Sequence, residues 1–181
     1  MNEIFCKNKK DLWTWLEKNH AQKESVWLLY YKPSLKLGDL DKQTVVDYCL
    51  CFGWVDSVVG KVDAEKTKIR ISPRNPKSKW SKVNKNNIKR LLKENKLQTA
   101  GKAVVALAKK NGAWDALNEV EKLILPRDLK LSISKKKLEA KWEKLSRSDK
   151  RMYLETLLNS KKEETRQKNI KKVIDRLGIV K

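Results

Sequence analysis

Apolar residues in the first third of the chain recur at helical spacing, then form a nearly continuous run, and then recur at helical spacing again. The pattern predicts a helix, a strand and a second helix, in that order. Residues 11–19 place their apolar side chains on one face at helical spacing. The nearly continuous apolar run at residues 25–31 is typical of a strand buried on both faces in the middle of a sheet. Asp41 is placed to cap a second helix, and Gly53 is placed to end it.

The next segment predicts a hairpin followed by a loop and a helix. Residues 54–62 and 67–72 are rich in β-branched side chains, and in the second run apolar residues alternate with charged ones. Pro73 and Pro76 end the strand pattern and bracket a loop. Ser81 is a good N-cap for the helix that follows.

From residue 99 onward the pattern is helical. Helices are predicted at residues 99–111, 114–120, 134–145, 148–159 and 163–177. Residues 124–132, which contain Pro126, are the one segment whose pattern indicates a boundary between two parts of the chain. We therefore expect an α+β fold: a domain over residues 1–125 with a small antiparallel or mixed sheet and helices, then an all-helical C-terminal segment, 126–181, packed on it.

Charge adds a question about partners. The chain of 181 residues carries 43 Lys and Arg against 22 Asp and Glu, a net charge of +21, while 40% hydrophobic residues support a folded core. Such a charge attracts polyanions, although a general lysine bias explains it equally well. No apolar run is long enough to span a bilayer and the first residues lack a signal sequence, so we expect a cytoplasmic protein. The oligomeric state is not predicted.

The cysteines and the single histidine give weak signals for catalysis. Cys6, Cys49 and Cys51 have no metal-ligand spacing and are read as reduced, structural thiols. His20, the only histidine, lies at the end of the first helix. We therefore predict no catalytic residue, no metal and no cofactor, and keep an enzyme acting through Cys51 or Asp56 as a less favoured alternative.

The segment from Lys66 to Lys93 is the most function-like feature. It contains eleven Lys and Arg residues and no acid, interrupted by Trp80 and by several Ser and Asn residues. Arg74 offers a forked donor, and the helix that begins after Ser81 offers free backbone N–H groups. These features favour an anion site, with a plain solvated surface as the alternative.

Two sequence blocks in and next to this segment resemble a known family. They are CFGWVD at residues 51–56 and PRNPKSKWSKVN at residues 73–84, and Ala100-Gly101 and Thr165-Arg166 add to the match. On these residues the chain resembles the YdeI/OmpD-associated family, also called bacteriocin-protection proteins. The resemblance implies a cytoplasmic bacterial protein linked to tolerance of bacteriocins or cationic antimicrobial peptides, with no agreed reaction. Residues 95–99 depart from the family pattern.

The leading hypothesis is a non-catalytic binding protein with a basic cleft for a small anionic or polar ligand. The alternatives are nucleic-acid binding by the stripe at residues 66–93 and an enzyme of unknown reaction. Arginine and lysine would supply charge, serine and asparagine hydrogen bonds, and tryptophan a wall. The predicted ligand-binding residues are Trp54, Asp56, Arg70, Arg74, Ser78, Trp80, Ser81, Lys82 and Asn84.

Overall fold

The chain divides into two compact units, residues 1–115 (unit 1) and residues 116–181 (unit 2). The computed structural model describes residues 2–179. Within that range every strand lies in unit 1, and unit 2 is helical. The predicted α+β class, with strands confined to the N-terminal part, is confirmed. The packing of the helical segment on the first domain stays a prediction.

Unit 1 contains a mixed sheet of four strands, in the order β1-β2-β4-β3. β1 runs parallel to β2, and the other pairings are antiparallel. The hairpin and the central position of the second strand are as predicted. β1 was not predicted because three residues are too few to show a period. The strands are β1 Glu3–Phe5, β2 Val26–Tyr31, β3 Trp54–Lys61 and β4 Lys66–Pro73.

The two faces of this sheet differ in burial. Leu28, Ile69 and Ile71 are fully buried on one face, in the same core cluster as helical side chains. The expectation that β2 is buried on both faces was wrong, since its residues alternate between buried and partly exposed. On the more open face the ammonium of Lys68 lies 4.9 Å from the ring centroid of Trp27. Lysine side chains thus cover aromatic rings there.

Four helices complete the described part of unit 1, together with one short 3-10 turn at Pro33–Leu35. Asp41 and Ser81 cap their helices as predicted. The first helix begins earlier than predicted because Asn8 is its N-cap, and Asp11 reaches back to the cap as the third residue of a capping box. The helices are α1 Lys9–Asn19, α2 Lys42–Cys51, α3 Lys82–Lys93 and α4 Thr99–Lys110.

Two glycines allow α2, β3 and α4 to meet closely. Gly53 adopts a φ of 76° between α2 and β3, a conformation that favours glycine, and a Cβ there would lie 2.8 Å from a methyl group of Val104. A Cβ at Gly101 would meet the carbonyl oxygen of Cys51, and that of Leu50 at 2.6 Å. The end of α2 therefore packs directly against the backbone of α4.

Unit 2 contains five helices among its described residues, where the sequence predicted four. Pro126, in the segment at residues 124–132, is the N-cap of a helix, and the domain boundary expected there stays a prediction. The helix predicted at residues 134–145 is split, and Lys137 between the two pieces has a φ of 54°. The helices are α5 Asn118–Glu121, α6 Arg127–Lys135, α7 Glu139–Lys144, α8 Arg147–Asn159 and α9 Glu163–Ile179.

A small apolar core and charged hydrogen bonds hold unit 2 together. Leu129, Leu157 and Trp142 belong to its buried cluster. The guanidinium of Arg166 on α9 donates to both carboxylate oxygens of Asp128 on α6, at 2.9 Å for one of them, and to the carbonyl oxygen of Leu157. Arg166 thus ties three helices together. Across residues 2–179, no helix has the length and apolar character required to cross a membrane.

Candidate ligand-binding cleft

A cleft of about 460 Å³ opens in unit 1 between α2, the first half of β3 and the beginning of α3. Its polar lining includes a carboxylate, a hydroxyl and three side-chain amides, next to one lysine. Such concave sites with a few polar groups are where small molecules bind in proteins. The lining residues are Lys42, Gln43, Val46, Asp56, Ser81, Val83, Asn84 and Asn87.

Regular structure positions the polar groups of the cleft. Asp56 lies opposite Ile71 in the β3–β4 ladder, so its side chain is on the helix-covered face. Ser81 caps α3, and its hydroxyl accepts a hydrogen bond from the backbone N–H of Asn84 at 3.3 Å. Asn84 and Asn87 are three residues apart on α3, which brings both amides to the same side of the helix.

Two polar groups of the cleft lack partners. The Asp56 carboxylate, partly exposed, accepts no hydrogen bond and forms no ion pair with another described residue. The side-chain nitrogen of Asn87 is buried and without a hydrogen-bond acceptor. Buried polar groups in proteins almost always have partners, which makes the unpaired Asn87 nitrogen the unusual feature of this cleft.

Gln43 is fixed at the rim of the cleft by charged neighbours. Its side-chain nitrogen donates to a carboxylate oxygen of Asp47 at 2.8 Å. Arg90 of α3 donates to the same carboxylate at 2.6 Å, and this bond raises the pKa of Arg90. The ion pair thus links α2 to α3 next to the cleft.

Trp54, which the sequence predicted to be a wall of the site, is a core residue and does not line this cleft. Only 1% of it is exposed, and its indole N–H donates to the carbonyl oxygen of His20 at 2.9 Å. Its ring packs edge-on against Trp15. Trp54 therefore anchors the start of β3, two residues before Asp56.

Arg74 and Trp80 form a buried pair that holds the loop between β4 and α3. The guanidinium carbon lies 3.8 Å from the ring centroid of Trp80, and one guanidinium nitrogen donates to the carbonyl oxygen of Lys79 at 2.8 Å. The backbone N–H of Arg74 donates to the carbonyl oxygen of Gly53. Burial lowers the pKa of Arg74 to about 10. Both residues hold the loop in place, and their predicted contact with a ligand stays a prediction.

The remaining predicted residues lie apart from the cleft lining. Arg70 donates to the hydroxyl of Ser25 at 3.1 Å from the opposite face of the sheet. Ser78 stabilises a turn through its backbone, and Lys82 is exposed at the beginning of α3. Of the nine predicted residues, the cleft lining thus brings together Asp56, Ser81 and Asn84.

Five lining residues were not predicted: Lys42, Gln43, Val46, Val83 and Asn87. A helical signal existed for Asn87, which lies one turn after Asn84 on the same face. No signal existed for the α2 residues, because they meet α3 only through the tertiary fold.

The cysteines show no sign of activation. All three are buried and free, and burial is the main cause that raises the pKa of Cys6 and of Cys51 to about 12 and that of Cys49 further. High pKa values keep thiols protonated and unreactive. Within the described range no group of three or more His, Cys, Asp or Glu side chains is arranged to hold a metal ion.

The basic segment at residues 66–93 is divided among several environments. Arg74 is buried, and lysines of β4 lie on the sheet while those of α3 lie on a helix. Among residues 2–179, acids from outside the segment or at its edge pair with at least four of its cations. These pairs are Lys66–Asp63, Lys68–Glu3, Lys85–Asp115 and Arg90–Asp47.

Comparison with protein families divides the chain near the boundary between the two units. Residues 122–178 match a family model described as bacteriocin-protection, YdeI or OmpD-associated, which supports the resemblance seen in the sequence. Residues 4–104, which include both sequence blocks that carried most of that resemblance, match a model described as a domain of unknown function, DUF8412. Comparisons with curated proteins and with solved structures each found no match. Residues 122–178 are thus similar to the YdeI/OmpD-associated family, and because the match to the first model covers more than half of the 181 residues, the chain belongs to the DUF8412 family.

Proposed function

We propose that unit 1 is a non-catalytic binding domain whose cleft takes a small polar ligand. The observation that carries the proposal is the pair of unpartnered groups in one cleft, the carboxylate of Asp56 and the side-chain nitrogen of Asn87. A ligand that donates to the first and accepts from the second satisfies both.

The chemistry of the lining favours a ligand with mixed donors and acceptors. Asp56 accepts hydrogen bonds, Asn84 and Asn87 both donate and accept, and Lys42 contributes the one cation among the lining side chains. Arg70 and Arg74, the two arginines that the sequence predicted for the site, donate their hydrogen bonds to groups outside the cleft. Hydroxyl-bearing or amine-bearing molecules therefore fit better than simple anions.

Binding without catalysis is favoured by the titratable groups that line the cleft. Asp56 is its one carboxylate, and neither a histidine nor a cysteine is among the lining residues. Acid–base catalysis usually needs a second group placed to return the proton. The lining thus supports recognition better than proton transfer.

The test is a ligand screen read by thermal unfolding and by NMR shifts of the Asn87 side-chain amide. The panel contains glucose, ethanolamine, adenosine, sodium acetate and inorganic phosphate. We expect one of the first three to raise the melting temperature of the wild type. Asp56→Asn and Asn87→Ala should each reduce the affinity about tenfold, the effect of losing one hydrogen bond to a charged or buried partner.

Asn86→Ala is the matched control. Asn86 is the exposed neighbour of Asn87 on α3 and does not line the cleft. Its variant should bind like the wild type. Equal affinity of all three variants for a bound probe, or a response to phosphate and acetate alone, contradicts the proposal.

We link this binding role to bacteriocin protection only through the description of the family model that part of the chain matches. The description comes from the match to residues 122–178, which lie in unit 2, whereas the cleft lies in unit 1. A cytoplasmic location remains part of the same proposal.

A further inference from the structure

A second surface of unit 1 gathers lysines around Trp114. This residue follows α4 after a turn in which Gly112 has a φ of 79°. Its backbone N–H donates to the carbonyl oxygen of Ala108 at 3.0 Å, and its ring centroid lies 5.0 Å from that of Trp80. The ring is partly exposed and packs against the buried ring of Trp80.

The loop before α3 lies against this turn. The side-chain nitrogen of Asn111 donates to the carbonyl oxygen of Pro76 at 2.9 Å, and the backbone N–H of Trp80 donates to the carbonyl oxygen of Ala113 at 3.3 Å. These bonds bring the loop that carries Lys77 and Lys79 next to the end of α4. The arrangement joins two parts of the sequence that are about thirty residues apart.

Lysine ammonium groups converge on the ring itself. Those of Lys85 and Lys109 each lie 5.4 Å from the ring centroid of Trp114. A carboxylate oxygen of Asp115 lies 3.6 Å from the ammonium of Lys85, so this surface also contains an acid. We call the surface the Trp114 patch, and define it as Trp114, the two lysines over its ring and the lysines of the adjoining loop and helix end, which are Lys85, Lys109, Lys77, Lys79 and Lys110.

We propose that the Trp114 patch binds single-stranded nucleic acid. The partly exposed indole can stack on an unpaired base once the lysine ammonium groups that lie over the ring turn to the phosphates on either side. A duplex keeps its bases stacked inside, so it uses the lysines but not the ring. The net charge of +21 attracts a polyanion to the protein, and stacking on the Trp114 ring determines where it binds.

This surface differs from the stripe that the sequence suggested. Three of its lysines, Lys77, Lys79 and Lys85, belong to the segment at residues 66–93, whereas Trp114 and the α4 lysines come from outside it. The proposal is also independent of the cleft, since no residue of the patch lines that cleft.

The first experiment measures the anisotropy of a fluorescein-labelled oligothymidylate over a series of salt concentrations, with the full chain. The double variant Lys109→Gln/Lys110→Gln removes two exposed cations of the patch. If each contacts one phosphate, the slope of log affinity against log salt should become about 1.4 less steep.

The control for net charge is the double variant Lys18→Gln/Lys23→Gln. Both of these lysines are exposed, on α1 and on the loop after it, and the change in net charge is the same. The control should keep the slope of the wild type. An equal loss in both double variants, or no binding at low salt, overturns the proposal.

The second experiment tests the ring. Trp114→Phe keeps an aromatic face and should bind nearly as well as the wild type, whereas Trp114→Ala should bind about tenfold more weakly. Circular dichroism establishes that each variant is folded, and the lysine variants test the patch even if Trp114→Ala unfolds. Equal affinity of Trp114→Phe and a folded Trp114→Ala, or tighter binding to a duplex or to anionic lipid vesicles than to the oligothymidylate, overturns the assignment to single strands.

Discussion

The two units of the chain depend on different kinds of interaction. In unit 1, backbone meets backbone at Gly101, where even a methyl group would collide with carbonyl oxygens of α2. In unit 2, charged side chains join helices around a small apolar core, as Arg166 does by donating to Asp128 and to the carbonyl oxygen of Leu157. Unit 1 is therefore sensitive to added volume, and unit 2 to lost charge.

The largest effect is expected for Gly101→Ala in unit 1. In most helices this substitution stabilises by ~1 kcal/mol. Here the new methyl group would lie 2.6 Å from the carbonyl oxygen of Leu50 and closer still to that of Cys51, so α4 must move away from α2. We expect a net loss of about 3 kcal/mol in the free energy of unfolding of unit 1. Hydrogen exchange of the amides of residues 2–115, with mass spectrometry, measures it.

Gly178→Ala is the matched control from the other unit. Gly178 also lies in a helix, α9, but a Cβ there would have no heavy atom within 4 Å. The substitution should leave unit 2 unchanged or more stable by up to ~1 kcal/mol. If Gly101→Ala lowers the free energy of unfolding no more than Gly178→Ala does, unit 1 is not sensitive to added volume at this position.

An intermediate effect is expected for Arg166→Ala. The substitution removes three charged hydrogen bonds and leaves the Asp128 carboxylate and the Leu157 carbonyl without their donor. The cost to unit 2 should be about 2 kcal/mol, read from the exchange of its amides, while unit 1 stays unchanged. Arg176→Ala on the same helix, where the side chain is exposed, should change stability by less than ~0.5 kcal/mol. Similar losses for the two variants would contradict the role of Arg166.

The smallest effect concerns pH. The hydrogen bonds from Arg166 are the main cause that lowers the pKa of Asp128. Stabilisation by a carboxyl group with a lowered pKa is complete above its unfolded value of about 4 and is lost as the pH falls through the folded value. Unit 2 of the wild type should thus lose ~1 kcal/mol between about pH 5 and about pH 3 through this pair.

Asp128→Asn isolates that contribution. The variant should be less stable than the wild type at neutral pH and should lose less on acidification, as urea unfolding followed by NMR signals of unit 2 shows. An unchanged pH dependence in Asp128→Asn would mean that other carboxyl groups dominate the acid response of this unit.

Sequence patterns predicted those parts of the fold that depend on local chemistry. Asp41 and Ser81 are caps because their side chains reach nearby backbone N–H groups, and Gly53 ends a helix because a positive φ suits glycine. The split after α6 was missed because its turn residue is Lys137, which rarely adopts a positive φ. Pro126 was read as a boundary although proline is also common at the start of a helix.

The candidate site shows the same limit. Asp56, Ser81 and Asn84 were predicted because they lie in two short blocks with unusual composition, and the structure places them in the lining of one cleft. In the same blocks, Arg74 and Trp80 were assigned to a ligand although they bind each other. Composition identifies residues able to bind a ligand, but burial decides whether they face one, and burial depends on the whole of unit 1.

The buried cysteines have a practical consequence. All three thiols lie in unit 1, and residues 116–181 contain none. Because each is protonated and shielded from solvent, an alkylating reagent can modify them only when unit 1 opens. The rate of alkylation therefore reports the opening of unit 1. Unit 2, which has no cysteine, does not react with that reagent.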